Sequence, residues 1–209
     1  MAVSKTHPAE AILEAVAARV TLFGENRVQE FVQKSVALGE PRLPSGEHAE
    51  FHLIGHLQSN KSGKAVELFD GIDSLDSLRM AERLNEAAAA RSEKLPVLLE
   101  IKLSHEETKT GLVPKSSELA ALLERLPALS ALEVNGLMTV PPYDENPEAA
   151  RPYFRQLREL RESLCRAHPQ LNFRELSMGM SGDFAVAIEE GATVVRIGTA
   201  LFGEREYPK

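Results

Sequence analysis

Residues 71–103, GIDSLDSLRMAERLNEAAAARSEKLPVLLEIKL, hold a strand, a helix and a second strand in that order. Gly71–Leu75 and Val97–Leu103 are apolar runs of strand length, and Leu78, Ala81, Leu84 and Ala88 recur between them at helical spacing. Such a unit returns the chain to the same edge of the sheet, so its two strands pair in parallel. The pattern extends in both directions. Ala2–Lys5, Val20–Phe23, Phe51–Ile54, Leu132–Met138, Arg174–Met178 and Thr193–Ile197 complete eight runs, while Leu119, Leu122, Leu123, Leu126 and Tyr153, Leu157, Leu160, Leu164 mark further helical stripes. Eight parallel strands joined by seven crossovers predict an α/β fold, a single closed (β/α)8 barrel. The rival, an open doubly wound sheet, wants a G-x-G-x-x-G turn after its first strand, and none is present.

A chain of 209 residues sits at the short end for a barrel, so 1–209 reads as one domain with no room for a second. The match between Leu22–Glu25 and Leu201–Glu204 is too short to be a repeat. An excess of acidic over basic residues, net charge −7, argues against nucleic acid and anionic membranes as partners, so an anionic ligand must be held by local geometry. No stretch of 18 apolar residues predicts a membrane span, Cys165 alone gives no disulfide, and the N-terminus lacks an export leader, which together place the protein in the cytoplasm. A first strand starting next to Met1 leaves no helix ahead of it to cover the barrel floor, so either the floor is partly open or the chain start is truncated.

In parallel barrels chemistry gathers at the C-terminal ends of the strands. Lys5 ends the first strand, where a desolvated amine can attack an aldehyde to form an imine, although position alone favours a snorkelling lysine. Ser177-Met178-Gly179-Met180-Ser181-Gly182-Asp183 joins the seventh strand to a helix: Ser181 can cap that helix, and the free N–H groups there favour an anion. Arg196-Ile197-Gly198-Thr199 ends strand eight, so loops seven and eight can share one phosphate. An amine on strand one beside that cradle suits a phosphorylated aldehyde, either pyridoxal 5′-phosphate or a sugar phosphate in a Schiff-base lyase.

Other features carry less. His52 and His56 are expected to face one way along a strand as hydrogen-bonded structural residues rather than metal ligands. His7, His48, His105 and His168 give no signal. Glu67–Asp76 and the charged face of Arg151–Arg166 read as solvated surface. Thr139–Ala150 reads first as a stiff connection, with gating of the pocket mouth as its alternative.

Ala2-Val3-Ser4-Lys5-Thr6, Phe23-Gly24-Glu25-Asn26, His52-Leu53-Ile54-Gly55-His56-Leu57-Gln58-Ser59-Asn60-Lys61, Gly136-Leu137-Met138-Thr139 and the two late motifs resemble, in order, the pyridoxal phosphate homeostasis (YggS/PROSC) family. The resemblance spans nearly the whole chain. It implies a barrel like the N-terminal domain of alanine racemase, with pyridoxal 5′-phosphate as an internal aldimine on Lys5. It implies phosphate binding at Ser181, Gly198 and Thr199, Arg196 facing the pyridine nitrogen, Asn26 and Met178 in the pocket, and Ser177 near the phosphate. A cation at that nitrogen weakens the cofactor as an electron sink, and the second base of alanine racemase lies in a domain this chain lacks. The implied role is cofactor homeostasis without efficient turnover; a lone barrel has no obligatory partner, so a monomer is expected, one that releases the stored aldehyde to pyridoxal phosphate-dependent apoenzymes. A racemase-like enzyme is the alternative. Two departures from the family pattern stand out: the leading helix is missing, and Lys102 replaces an asparagine.

Overall fold

The computed structural model describes residues 1–104, 106 and 109–203, so His105 and Glu204 lie outside the described residues. Eight strands follow one another around a parallel barrel: β1 (Ala2–Val3), β2 (Leu22–Glu25), β3 (Glu50–Leu53), β4 (Gly71–Leu75), β5 (Leu95–Glu100), β6 (Leu132–Met138), β7 (Glu175–Met180) and β8 (Val194–Arg196). A short seam brings β8 back to β1, with Ala2 bridging Ile197, the Val3 N–H donating to the Ile197 carbonyl at 2.8 Å and the Ile197 N–H to the Met1 carbonyl at 3.0 Å. The helices are α1 (Ala9–Ala17), α2 (Val28–Leu38), α3 (Ser62–Leu68), α4 (Leu78–Ala88), α5 (Ser117–Arg125), α6 (Arg151–Ala167), α7 (Phe184–Glu189) and α8 (Thr199–Phe202).

The helical stripes pack as their spacing requires. In α4, Ala81, Leu84 and Ala88 are buried, and the helix starts where the Ser77 hydroxyl accepts the Met80 N–H. Ser116 caps α5 in the same way through Leu119, satisfying an N–H that the first turn leaves unpaired. In α6 the buried stripe runs through Phe154, Leu157 and Leu164, so Phe154 takes the inward place that the spacing gave to Tyr153.

The strands β4 and β6 have the bounds read from the sequence; others are displaced for local reasons. β2 begins two residues late because Val20 closes α1, its N–H bonding to the Ala15 carbonyl at 3.0 Å while Arg19 turns left-handed at φ 69°. β1 ends at Val3, leaving Lys5 in a turn beyond it rather than on the strand. β3 ends at Leu53, so His56 lies in a loop and does not share a strand face with His52.

Two stretches expected on the solvated surface are not wholly there. All five residues of β4 are buried, Asp73 among them, and the Asp70 carboxylate accepts the Phe51 N–H. On α6, Arg151, Arg155 and Arg158 converge on the buried carboxylate of Glu190 just past α7. That cluster pins α7 against α6 and so steadies the loop between β7 and α7. Among the described residues no helix is long and apolar enough to cross a membrane.

Candidate functional site

A cavity of about 440 Å³ opens at the C-terminal mouth of the barrel, and Lys5, Asn26, Ser181, Arg196, Gly198 and Thr199 all line it. Six of the residues singled out in the sequence thus meet around one space. The other two do not reach it: Ser177 and Met178 are fully buried beneath the mouth. Met180 lines the cavity in place of Met178. A register shift between Ser177 and Met180 against β8, together with Gly179 at φ 93°, breaks the simple alternation of β7. A side chain at Gly179 would also collide with Ala187, so glycine there lets α7 close onto the strand.

Each side chain is held by its own local structure. Lys5 follows β1 in a tight turn in which the His7 N–H bonds to the Ser4 carbonyl at 3.1 Å and Thr6 takes the left-handed conformation at φ 68°. That conformation is rare for a β-branched residue. Asn26 follows β2, and a Cβ at Gly55 would overlap its carbonyl, so glycine admits the β2 and β3 loops side by side.

Arg196, the last residue of β8, is 4% exposed, and its hydrogen bonds to Ser177 and Thr139 go to neutral acceptors. Its Nη1 bonds to the Ser177 carbonyl at 2.7 Å and hydroxyl at 2.8 Å, and its Nη2 to the Thr139 carbonyl at 2.7 Å. Burial lowers its pKa, while the more distant charges of Asp73, Asp183 and Glu100 pull the other way. A fixed cation therefore forms part of the cavity floor.

Ser181 does not cap α7. Its hydroxyl oxygen instead accepts two main-chain N–H groups of the last loop, from Gly198 at 3.3 Å and Ala200 at 3.4 Å. Asp183 precedes α7 and turns its carboxylate back onto the Met180 N–H at 2.6 Å. With its oxygen accepting both N–H groups, the Ser181 hydroxyl still has its own proton to donate, and together with the Thr199 hydroxyl on the same wall it supplies donors that fit a phosphate. At Gly182, also on the wall, a Cβ would meet no protein atom within 4 Å, so the space there is open. The cavity thus joins a primary amine, phosphate-compatible hydroxyls and a buried cation, a set that suits a phosphorylated aldehyde.

The sequence reading missed several wall residues, chiefly His7 and Tyr143. Lys102 lines a neighbouring cavity of about 300 Å³ with His56 and Glu100, and not the one that holds Lys5. Burial and the charge of Asp76 raise the pKa of Glu100. His52 and His56 each bond a carboxylate of the next strand or its loop, Asp73 at 2.8 Å and Asp76 at 2.9 Å.

Comparison with known proteins adds independent findings. Residues 1–206 match the family model for the alanine racemase N-terminal domain. A pyridoxal phosphate homeostasis protein of Aquifex aeolicus is 48% identical over 204 residues, 98% of this chain and 86% of that protein. Among solved structures, PipY of Synechococcus elongatus PCC7942 with PLP bound superposes with a TM-score of 0.83 at 42% identity, covering 97% of this chain and 91% of PipY. Alanine racemase of Clostridium difficile 630 superposes at TM-score 0.73 with 17% identity, all of this chain covering 52% of that one, which is likeness of fold.

Proposed function

The chain belongs to the pyridoxal phosphate homeostasis proteins, which carry the alanine racemase N-terminal fold, and from that membership we propose that it binds pyridoxal 5′-phosphate in the mouth cavity and serves its homeostasis. Lys5 would hold the cofactor, and on this reading the protein would buffer it and release it to apoenzymes that need it. The observation that carries the proposal is the meeting of the Lys5 amine, the Ser181 and Thr199 hydroxyls and buried Arg196 around one cavity.

When bound, the cofactor supplies an aldehyde that condenses reversibly with primary amines and a ring that withdraws electrons. Lys5 is the amine we assign to that aldehyde. Ser181, Gly198 and Thr199 hold the phosphate, and Asn26 lines the wall. Arg196, held by Ser177, would face the pyridine nitrogen, while Met178 packs below. A cation that cannot accept a proton disfavours protonation of that nitrogen, so the ring is a weak electron sink. Storage then prevails over turnover. The assignment extends to one domain acting as a monomer in the cytoplasm.

A racemase-like enzyme is the second reading, because His7 and Tyr143 also line the cavity and could move protons. Interconversion of amino-acid enantiomers at about 1–10³ per second would favour it. The deciding experiment is an absorption spectrum of the purified protein, followed by borohydride reduction and mass mapping. A yellow chromophore and a modified Lys5 are expected, both lost in Lys5→Ala. A trapped sugar without chromophore would favour a lyase, and an adduct on another lysine would overturn the assignment.

A further inference from the structure

We propose that Lys34, on α2, is the positioning residue for Lys5, fixing the backbone on both sides of it. The inference rests on the reading of Lys5 as the reactive amine. The Lys34 ammonium donates to the Ser4 carbonyl at 2.9 Å and to Glu25 at 2.8 Å, and it pairs with Glu30 at 2.8 Å. An ammonium has three N–H donors, and three acceptors surround this one, so Lys34 is a tether rather than a rival nucleophile.

Its partners complete the clamp. The fully buried Glu25 carboxylate also accepts the Ser4 hydroxyl at 2.8 Å, and Glu30 accepts the Thr6 N–H. The residues immediately before and after Lys5 are therefore tied to one cation, and the left-handed turn at Thr6 is held from α2. Burying a lysine with a carboxylate costs desolvation that an apolar pair would avoid, and among the described residues one oxygen of Glu25 has no hydrogen-bond partner. Burial raises the pKa of Glu25 even though Lys34 and Ser4 stabilise its charge. Packing α2 onto β2 needs no such arrangement; fixing a turn does.

The experiment compares purified holoprotein carrying Lys34→Met, Lys34→Arg or the remote Arg91→Met. Arg91 binds the Val66 carbonyl at 2.7 Å at the far end of α3 and serves as the destabilised control. Readouts are the rate of pyridoxal phosphate loss, the pH midpoint of the visible band and the melting temperature. Lys34→Met is expected to lose cofactor about tenfold faster, the effect of one charged hydrogen bond. Its pH midpoint should shift, and Lys34→Arg should restore most of both. Arg91→Met should lower the melting temperature alone. Wild-type loss rate and midpoint in Lys34→Met, or equal changes in Arg91→Met, overturn the inference. If Lys34→Met does not fold, Glu30→Gln replaces it, and unchanged readouts there overturn the inference too. A wild-type protein without a Lys5 adduct overturns the functional reading and this inference together, whereas an adduct insensitive to Lys34 overturns this one alone.

Discussion

Arg196 grips Ser177 twice, once at its carbonyl and once at its hydroxyl, from the adjacent strand. Both groups are buried, so the guanidinium is oriented by the barrel and not by solvent. The hydroxyl is the removable half of that grip. Ser177→Ala is expected to cost about 1–2 kcal/mol, since it leaves a buried charged donor short of one acceptor. Denaturant unfolding measures the loss. In the holoprotein the visible band should shift as well, because Arg196 gains freedom next to the ring; an unaltered spectrum would argue that Arg196 does not face the cofactor.

Ser181 separates two roles that the geometry alone combines. Its hydroxyl cross-links loops seven and eight by accepting the Gly198 and Ala200 N–H groups, and on the proposed function it also meets phosphate. Ser181→Ala should weaken binding of pyridoxal 5′-phosphate and of inorganic phosphate alike, by about tenfold for one hydrogen bond to a charged group. Titration calorimetry with both ligands reads this out. A lower melting temperature with unchanged affinities would leave the hydroxyl a cross-link only.

The pair His52 and Asp73 gives stability a pH dependence of definite sign. Burial alone would lower the pKa of His52, but its hydrogen bond to Asp73 and the charges of Asp73, Glu50 and Asp70 outweigh it, so the value is raised. Protonated His52 is thus favoured by folding. The stabilisation is complete below the unfolded pKa of about 6.5 and is lost as pH rises through the higher folded value. The melting temperature should fall across that window in the wild type and stay level in His52→Asn, which can still donate to Asp73. Parallel curves for the two proteins would refute the assignment.

The barrel was legible because strands covered on both faces read as largely apolar runs, and β4, every residue of which is buried, is one of the two whose bounds were read correctly. Residues at strand ends were legible for the same reason: Arg196 and Gly198 directly follow apolar residues, and Lys5 comes two residues after Val3. What escaped depends on neighbours distant in sequence. Asp73 sits in an acidic stretch and looks solvated until β3 brings His52 beside it, and Glu190 is indistinguishable from Glu189 until α6 supplies three arginines. The placement of Met180 rather than Met178 in the cavity follows from a register shift that no alternation pattern anticipates. Lys34 carries no motif at all, and only the turn it tethers shows its place.

The connection after β6 is anchored at its base and open at its tip, which bears on how ligand leaves. Thr139 is buried, its hydroxyl donating to the Ile101 carbonyl at 2.8 Å while its own carbonyl accepts from Arg196. Four residues on, Tyr143 is 87% exposed yet contributes to the cavity wall, as do Pro142 and Asp144. A segment held at both ends, by Thr139 and by buried Ala150, but solvated between them has little packing to lose when its middle moves. If it covers the cofactor, Tyr143→Ala should accelerate cofactor dissociation and association together, leaving the equilibrium affinity nearly unchanged, because a cover that contributes no binding energy alters only the barrier. Stopped-flow absorbance yields both rates. A rise in dissociation alone would make Tyr143 a binding contact, and no change in either rate would return the segment to a plain connection.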